Sequence, residues 1–252
     1  MKRVKQRTDS GVICELEIYN VSDAMEDVRK AKPPRPRFAS EEEREAHRRG
    51  IARRRNIRKV NNNFTPASYY STLTLDDPHE VHTFKEARRL ARNFIRALKR
   101  HAPGCKIMLY MGRGENTDRI HFHMLSDGIP EDVICALWKM GEVRRIVHLR
   151  EHNSYNGVDH GQDYTGLANY LFNHWTPEQG GRCCMETTST LVKPKKEEPK
   201  EIKREYSPDK PPRAPKGYFL VETKATKYGY LYFKYVKKPP KRERKRACSA
   251  AP

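Results

Sequence analysis

Between Phe64 and Trp175 the spacing of apolar residues switches repeatedly between two and about 3.6 residues, which restricts the chain to alternating strands and helices. Tyr69-Tyr70-Ser71-Thr72-Leu73-Thr74-Leu75 alternates and is rich in β-formers, so it reads as a strand that Asp76-Asp77-Pro78 ends. Phe84, Ala87, Leu90, Ala91, Phe94, Ile95 and Leu98 then recur at helical spacing, with Lys and Arg on the other face and Gly104 as a stop. Residues 105–111 predict a second strand, 112–118 a turn, and Ile120 to Leu125 a third strand, making a hairpin. Pro130 opens a helix carrying Val133, Ile134, Leu137 and Trp138, closed by Gly141. Val143 to Leu149 predicts a fourth strand, and Gln162 to Trp175 a helix that Thr176-Pro177 stops. The order β–α–β–β–α–β–α predicts an α+β fold of ferredoxin-like type, an antiparallel sheet with helices on one face.

This core, residues 64–192, lies between unlike flanks. Residues 1–63 read as a basic N-terminal extension: a weak strand at Val12–Tyr19, an extended Lys32-Pro33-Pro34-Arg35-Pro36-Arg37 run, then an Arg-rich helix. Ser40 followed by Glu41, Glu42 and Glu43 marks that helix's start. Its arginines leave it nearly all polar, either a solvated helix or a DNA-contacting arm using Arg53, Arg54, Arg55 and Arg58. Residues 193–216 read as a linker, 217–236 as an aromatic β-hairpin turning near Lys227-Tyr228-Gly229, and 237–252 as a basic tail.

Composition narrows the partners. A net charge of +19 over 252 residues, with 36% hydrophobic and 33% charged residues, points to a modest core and a polyanionic partner, nucleic acid foremost. No apolar run is long enough to span a bilayer, and Met1-Lys2-Arg3-Val4-Lys5 leads into no signal-peptide core. Cys14, Cys105, Cys135, Cys183, Cys184 and Cys248 show no CxxC pairing, which fits free thiols in a reducing cytoplasm. No GxxxxGK[ST] loop is present, so no fused helicase is expected.

On the third strand His121 and His123 project to one face, while Ile120, Phe122 and Met124 face the core. Two imidazoles so placed can hold one divalent ion, although such pairs also occur on exposed strands without one. His121-Phe122-His123 resembles the HUH motif (histidine, bulky apolar residue, histidine) of rolling-circle replication endonucleases. Tyr70-Ser71-Thr72-Leu73-Thr74-Leu75 resembles that family's first motif, and Asn169-Tyr170-Leu171-Phe172-Asn173-His174 its third. The chain resembles the replication-associated proteins of bacterial mobile elements and small single-stranded DNA phages. The likeness runs over roughly residues 40–235 and includes the Arg-rich helix, Trp138 and Gly141.

The resemblance implies an enzyme of the bacterial cytoplasm that nicks and joins single-stranded DNA at a replication origin, served by host helicase and polymerase. Mg²⁺ or Mn²⁺ at His121 and His123 would assist attack by Tyr170, giving a 5′-phosphotyrosine and a free 3′-OH. Tyr164 is the rival nucleophile. Two departures stand out. The family's lysine after the tyrosine is replaced by Asn173 and His174, which are expected to position DNA along with Arg119. The strand before the HUH strand offers no carboxylate ligand, so Glu115, with Asp118 nearby, is the expected third donor. The competing readings are an HUH transposase and a non-catalytic nucleic-acid-binding protein with incidental histidines.

Overall fold

The computed structural model describes residues 1–33, 38–114, 118–174, 185–226 and 228–239. In chain order it holds β1 (Lys2–Ser10), β2 (Ile13–Val21), α1 (Glu41–Asn63), β3 (Tyr69–Thr74), α2 (Phe84–His101), β4 (Lys106–Arg113), β5 (Ile120–Asp127), α3 (Glu131–Leu137) and β6 (Val143–His148). There follow β7 (Ser154–Tyr155), β8 (Val158–Asp159), α4 (Thr165–Asn173), β9 (Met185–Thr187), β10 (Lys195–Lys196), β11 (Lys200–Glu201), β12 (Tyr218–Ala225) and β13 (Leu231–Lys237). The fold is α+β, with antiparallel sheets. No described helix is long and apolar enough to cross a membrane.

One sheet runs β6-β3-β5-β4-β9. Its strands alternate, so Leu73, Ile107, Leu109, Met111, Ile120, Phe122 and Met124 line one face against α2 and α3. A Thr83/Glu86 capping box starts α2, which buries Ala87, Ala91, Phe94, Ile95 and Leu98. Trp138 packs edge-on against Phe94 and Phe122, at 4.9 and 5.5 Å between ring centroids, and its Nε1 donates to the Thr74 carbonyl.

The other face carries Met108, Tyr110 and Leu125 under α1 and α4. Helices therefore cover both faces of this sheet, where one face was expected. The α1 stripe that packs there is sparse in apolar residues, essentially Ile57 and Val60 with Phe64 just past its end, which hides it from a periodicity reading. Buried asparagines complete it. Asn56 donates to the Ala168 carbonyl at 2.9 Å and accepts from the Tyr110 hydroxyl at 2.8 Å, while the Asn61 side chain accepts from the Tyr164 backbone N–H. Paired in this way, polar groups bury without the cost of lost hydrogen bonds.

The second sheet runs β10-β1-β2-β13-β12, with β11 also on β1. Its centre joins the chain's two ends: β2 pairs with β13, for example Ile18 with Leu231 and Leu16 with Phe233. The N-terminal residues read as an extension and the aromatic hairpin thus share one sheet, apart from the core sheet. Residues of the expected linker lie across β1, where Lys196 pairs with Thr8 and Glu201 with Val4. β1 escaped notice because Gln6, Thr8 and Ser10, all buried, occupy inward positions that normally hold apolar residues.

The helix α1 bridges the two sheets with charge. Arg58 pairs with the buried Glu15, and Arg54 with Glu17 at 3.2 Å while stacking over Tyr232. Tyr230 and Tyr232 donate to Glu17 and Glu15, each at 2.6 Å. Arg54 and Arg58, expected to contact DNA, are engaged here by carboxylates that would otherwise be buried unpaired. Cys14 and Cys105 are buried free thiols and Cys135 an exposed one. Cys183, Cys184, Cys248, Trp175, Lys227 and most of the basic tail lie outside the described residues.

Candidate metal centre

Strand alternation puts His121 and His123 on the face that α4 crosses, with their Nε2 atoms 3.2 Å apart. The bond from Asn56 to the Ala168 carbonyl fixes α4 against α1, and the end of α4 then lies over β5. Tyr170 and His174 are one helical turn apart and point the same way. His174 lies 4.5 Å from His123 and 5.6 Å from His121 between ring centroids, and the Tyr170 ring is 4.7 Å from His174 and 5.7 Å from His123.

His121, His123 and His174 present ligand atoms that all lie within 4.8 Å of one another. A glycine makes this possible. Gly112 sits opposite His121 on β4, and a Cβ there would fall 3.0 Å from His174 Nδ1 and 3.2 Å from its Cβ. A side chain there would crowd the imidazole, so glycine favours its close approach to the sheet. His174 is thus the third imidazole of the cluster, a place the sequence reading did not give it. Its spacing of four from Tyr170 was the available signal. Glu115, the expected third donor, lies outside the described residues. Asp118 is tied to Arg113 at 2.9 Å.

Burial pushes the His123 pKa down to about 3, helped by the neighbouring His174 and His121, and burial lowers that of His121. Both rings are neutral at pH 7, with lone pairs ready to ligate. Three imidazoles, and no carboxylate in the cluster among the described residues, fit a divalent transition ion.

The depressed His123 pKa also has a signature in stability. Without metal, the unfolded chain protonates this histidine below about pH 6.5, whereas the folded chain resists until about pH 3. The unfolded state binds more protons in that window, so stability falls as pH falls through it. In chelator, the urea midpoint is expected to drop from pH 7 to pH 5, and to drop less in His123→Gln. An identical drop in both proteins would contradict the assignment.

Tyr70 on β3 reaches the same cluster. Its hydroxyl lies 2.8 Å from His123 Nδ1 and accepts from the Thr72 hydroxyl at 3.3 Å. The neighbouring Tyr170 phenol also acts on it electrostatically. With Nδ1 held by Tyr70, His123 keeps Nε2 for the centre of the cluster. Outer partners of this kind orient a ligand and set its tautomer. The sequence reading counted Tyr70 only as part of a strand motif; its same-face spacing from Thr72 was the signal. Tyr70→Phe is expected to weaken Mn²⁺ binding about 10- to 100-fold with the fold intact, read by titration calorimetry.

The two tyrosines weighed as nucleophiles part company here. Tyr170 is 49% exposed beside the imidazoles, whereas Tyr164 is 2% exposed within the core under α1. Burial holds the Tyr164 phenol well above its ordinary pKa. Tyr164 is a packing residue, and the rival assignment is corrected on that ground.

Of the expected DNA contacts, Arg53 and Asn173 stand together at the rim. The guanidinium donates to the Asn173 side chain at 3.1 Å and lies over the Phe172 ring. Arg55 is exposed on α1. Arg119 is engaged by Asp77 at 2.6 Å and Glu80 at 3.4 Å, so its charge is largely offset. No family model, curated protein or solved structure matches the chain. The chemistry of the centre therefore has to come from its own residues.

Proposed function

We propose that this chain is an HUH-type endonuclease that nicks and rejoins single-stranded DNA to start rolling-circle replication. The observation that carries this is the placement of one exposed tyrosine, Tyr170, against three clustered imidazoles from a strand and a helix end. The strand order β6-β3-β5-β4, joined through α2 and α3, supports a ferredoxin-like core, and the excess of basic residues supports a polyanionic substrate.

His121, His123 and His174 would hold the ion, whose contribution is Lewis-acid stabilisation of charge on the scissile phosphate. The rest falls to the chain. Tyr70 holds His123 in place, with the Tyr170 phenol as its neighbour. The Tyr170 oxygen attacks phosphorus in line, the P–O3′ bond breaks, the phenolic proton leaves to solvent, and the departing 3′ oxygen takes up a proton. The product is a 5′-phosphotyrosine and a 3′-OH that a host polymerase can extend. Reversal joins the strand without ATP, because the covalent link conserves the phosphodiester bond.

The test is covalent capture. Labelled single-stranded DNA carrying the replicon's origin is incubated with the protein and Mn²⁺, then run on a denaturing gel. A protein–DNA adduct with a free 3′-OH on the released fragment is expected. No adduct on the origin strand would sink the proposal, and an adduct confined to terminal hairpins would point to a transposase.

A further inference from the structure

Among the described residues the proposed centre is built of three imidazoles and holds no permanent cation, yet its proposed substrate is a phosphodiester. α1 and α4 cover the sheet over β4 and part of β5. On the same face, the β3–β6 half is more open: Tyr70 and Thr72 are partly exposed, and Arg145 and Val147 of the edge strand β6 are exposed. Thr72 pairs with His123 on one side and with Arg145 on the other, and Tyr70 pairs with Val147. Arg145 therefore projects from the His123 face, two strand spacings or about 10 Å away, a gap that an arginine side chain and a bound phosphate together span.

A β-bulge puts it there. Leu73 pairs with Val143 but Thr72 pairs with Arg145, so Arg144 is an extra residue in the ladder. Without it, Arg145 would lie opposite Ser71, on the core face, and Ile146 would face outward. With it, Ile146 packs in the core and Arg145 turns to the site. Arg144 itself is engaged by Glu142. Arg145 makes no ion pair with any described residue, and its charge acts on Tyr70, whose hydroxyl touches His123. Arg53 stands at the other rim of the site beside Asn173.

Building on the endonuclease reading, we propose that the single strand enters over the β6 edge and that Arg145 binds the phosphate attacked by Tyr170. Val147 and the half-exposed Tyr170 ring flank that path as surfaces for bases, which stack on apolar and aromatic side chains whatever their sequence. Arg145 supplies the bidentate donors and permanent charge that the imidazoles lack.

The test combines binding and chemistry in Arg145→Gln and Arg145→Lys, with Arg89→Gln on the exposed face of α2 as a control. Anisotropy of a fluorescent single-stranded oligonucleotide is measured in chelator across a salt series. Arg145→Gln is expected to reduce the slope of log K against log salt by roughly 0.7, as for one lost phosphate contact on a single strand. It is expected to slow adduct formation about 100-fold. Arg145→Lys should restore the slope and part of the rate, and Arg89→Gln should change neither. An unchanged slope in Arg145→Gln, or an equal change in Arg89→Gln, overturns the proposal. Should wild type form no adduct, the endonuclease reading fails on its own, while the salt slope still decides whether Arg145 touches the strand.

Discussion

Tyr170→Phe is expected to abolish the covalent DNA adduct while leaving DNA affinity nearly unchanged. The substitution removes one oxygen from a half-exposed ring at the end of α4, so it opens no cavity in the core. Binding rests on phosphate contacts that the phenol does not make. Loss of an enzyme's nucleophile costs on the order of 10⁴-fold or more in rate, which places the mutant below detection on a denaturing gel. Tyr164→Phe should keep the adduct, because the Tyr164 hydroxyl is buried away from solvent. An adduct that survives in Tyr170→Phe and disappears in Tyr70→Phe would transfer the nucleophile to β3. An adduct that survives both would place the chemistry elsewhere.

The second large effect is expected at His174. His174→Ala should lower Mn²⁺ affinity at least about 100-fold, or roughly 2.7 kcal/mol, measured by calorimetry on chelator-stripped protein. Two imidazoles 3.2 Å apart on one strand would remain, but the donor that closes the cluster from the other side would be gone. Gly112→Ala should act in the same direction and more weakly, because its methyl would press on the His174 ring at 3.0 Å. The alternative role for His174, positioning DNA, makes a different prediction: unchanged Mn²⁺ affinity and an increased KM for the strand. The two readings therefore separate in a measurement that needs no DNA.

The arginines show where sequence reading reached its limit. The run Arg53-Arg54-Arg55 looked uniform, yet α1 turns these residues in different directions. Arg54 meets Glu17 and Tyr232 in the second sheet, Arg55 faces solvent, and Arg53 meets Asn173 beside the candidate centre. Nothing local marks which arginine has a buried carboxylate waiting, because Glu15 and Glu17 lie about forty residues earlier on a strand with weak patterning. Charge composition pointed to nucleic acid; the distribution of that charge depended on the second sheet.

The core elements were largely legible because their signals are local. Period-two alternation fixed which side chains of β3, β4 and β5 share a face, so the shared direction of His121 and His123 followed from two-residue spacing alone. Helical periodicity likewise marked α2, whose apolar stripe is continuous. What required the tertiary structure was every contact between distant segments. The approach of His174 depends on buried Asn56 holding α4 and on the absent side chain of Gly112. The position of Arg145 depends on one extra residue in the β6 ladder, and the union of the chain's two ends depends on β2 pairing with β13. A strand's pleat is set by its own backbone, whereas these arrangements are set by packing between segments far apart in sequence, and no periodicity within either segment encodes them.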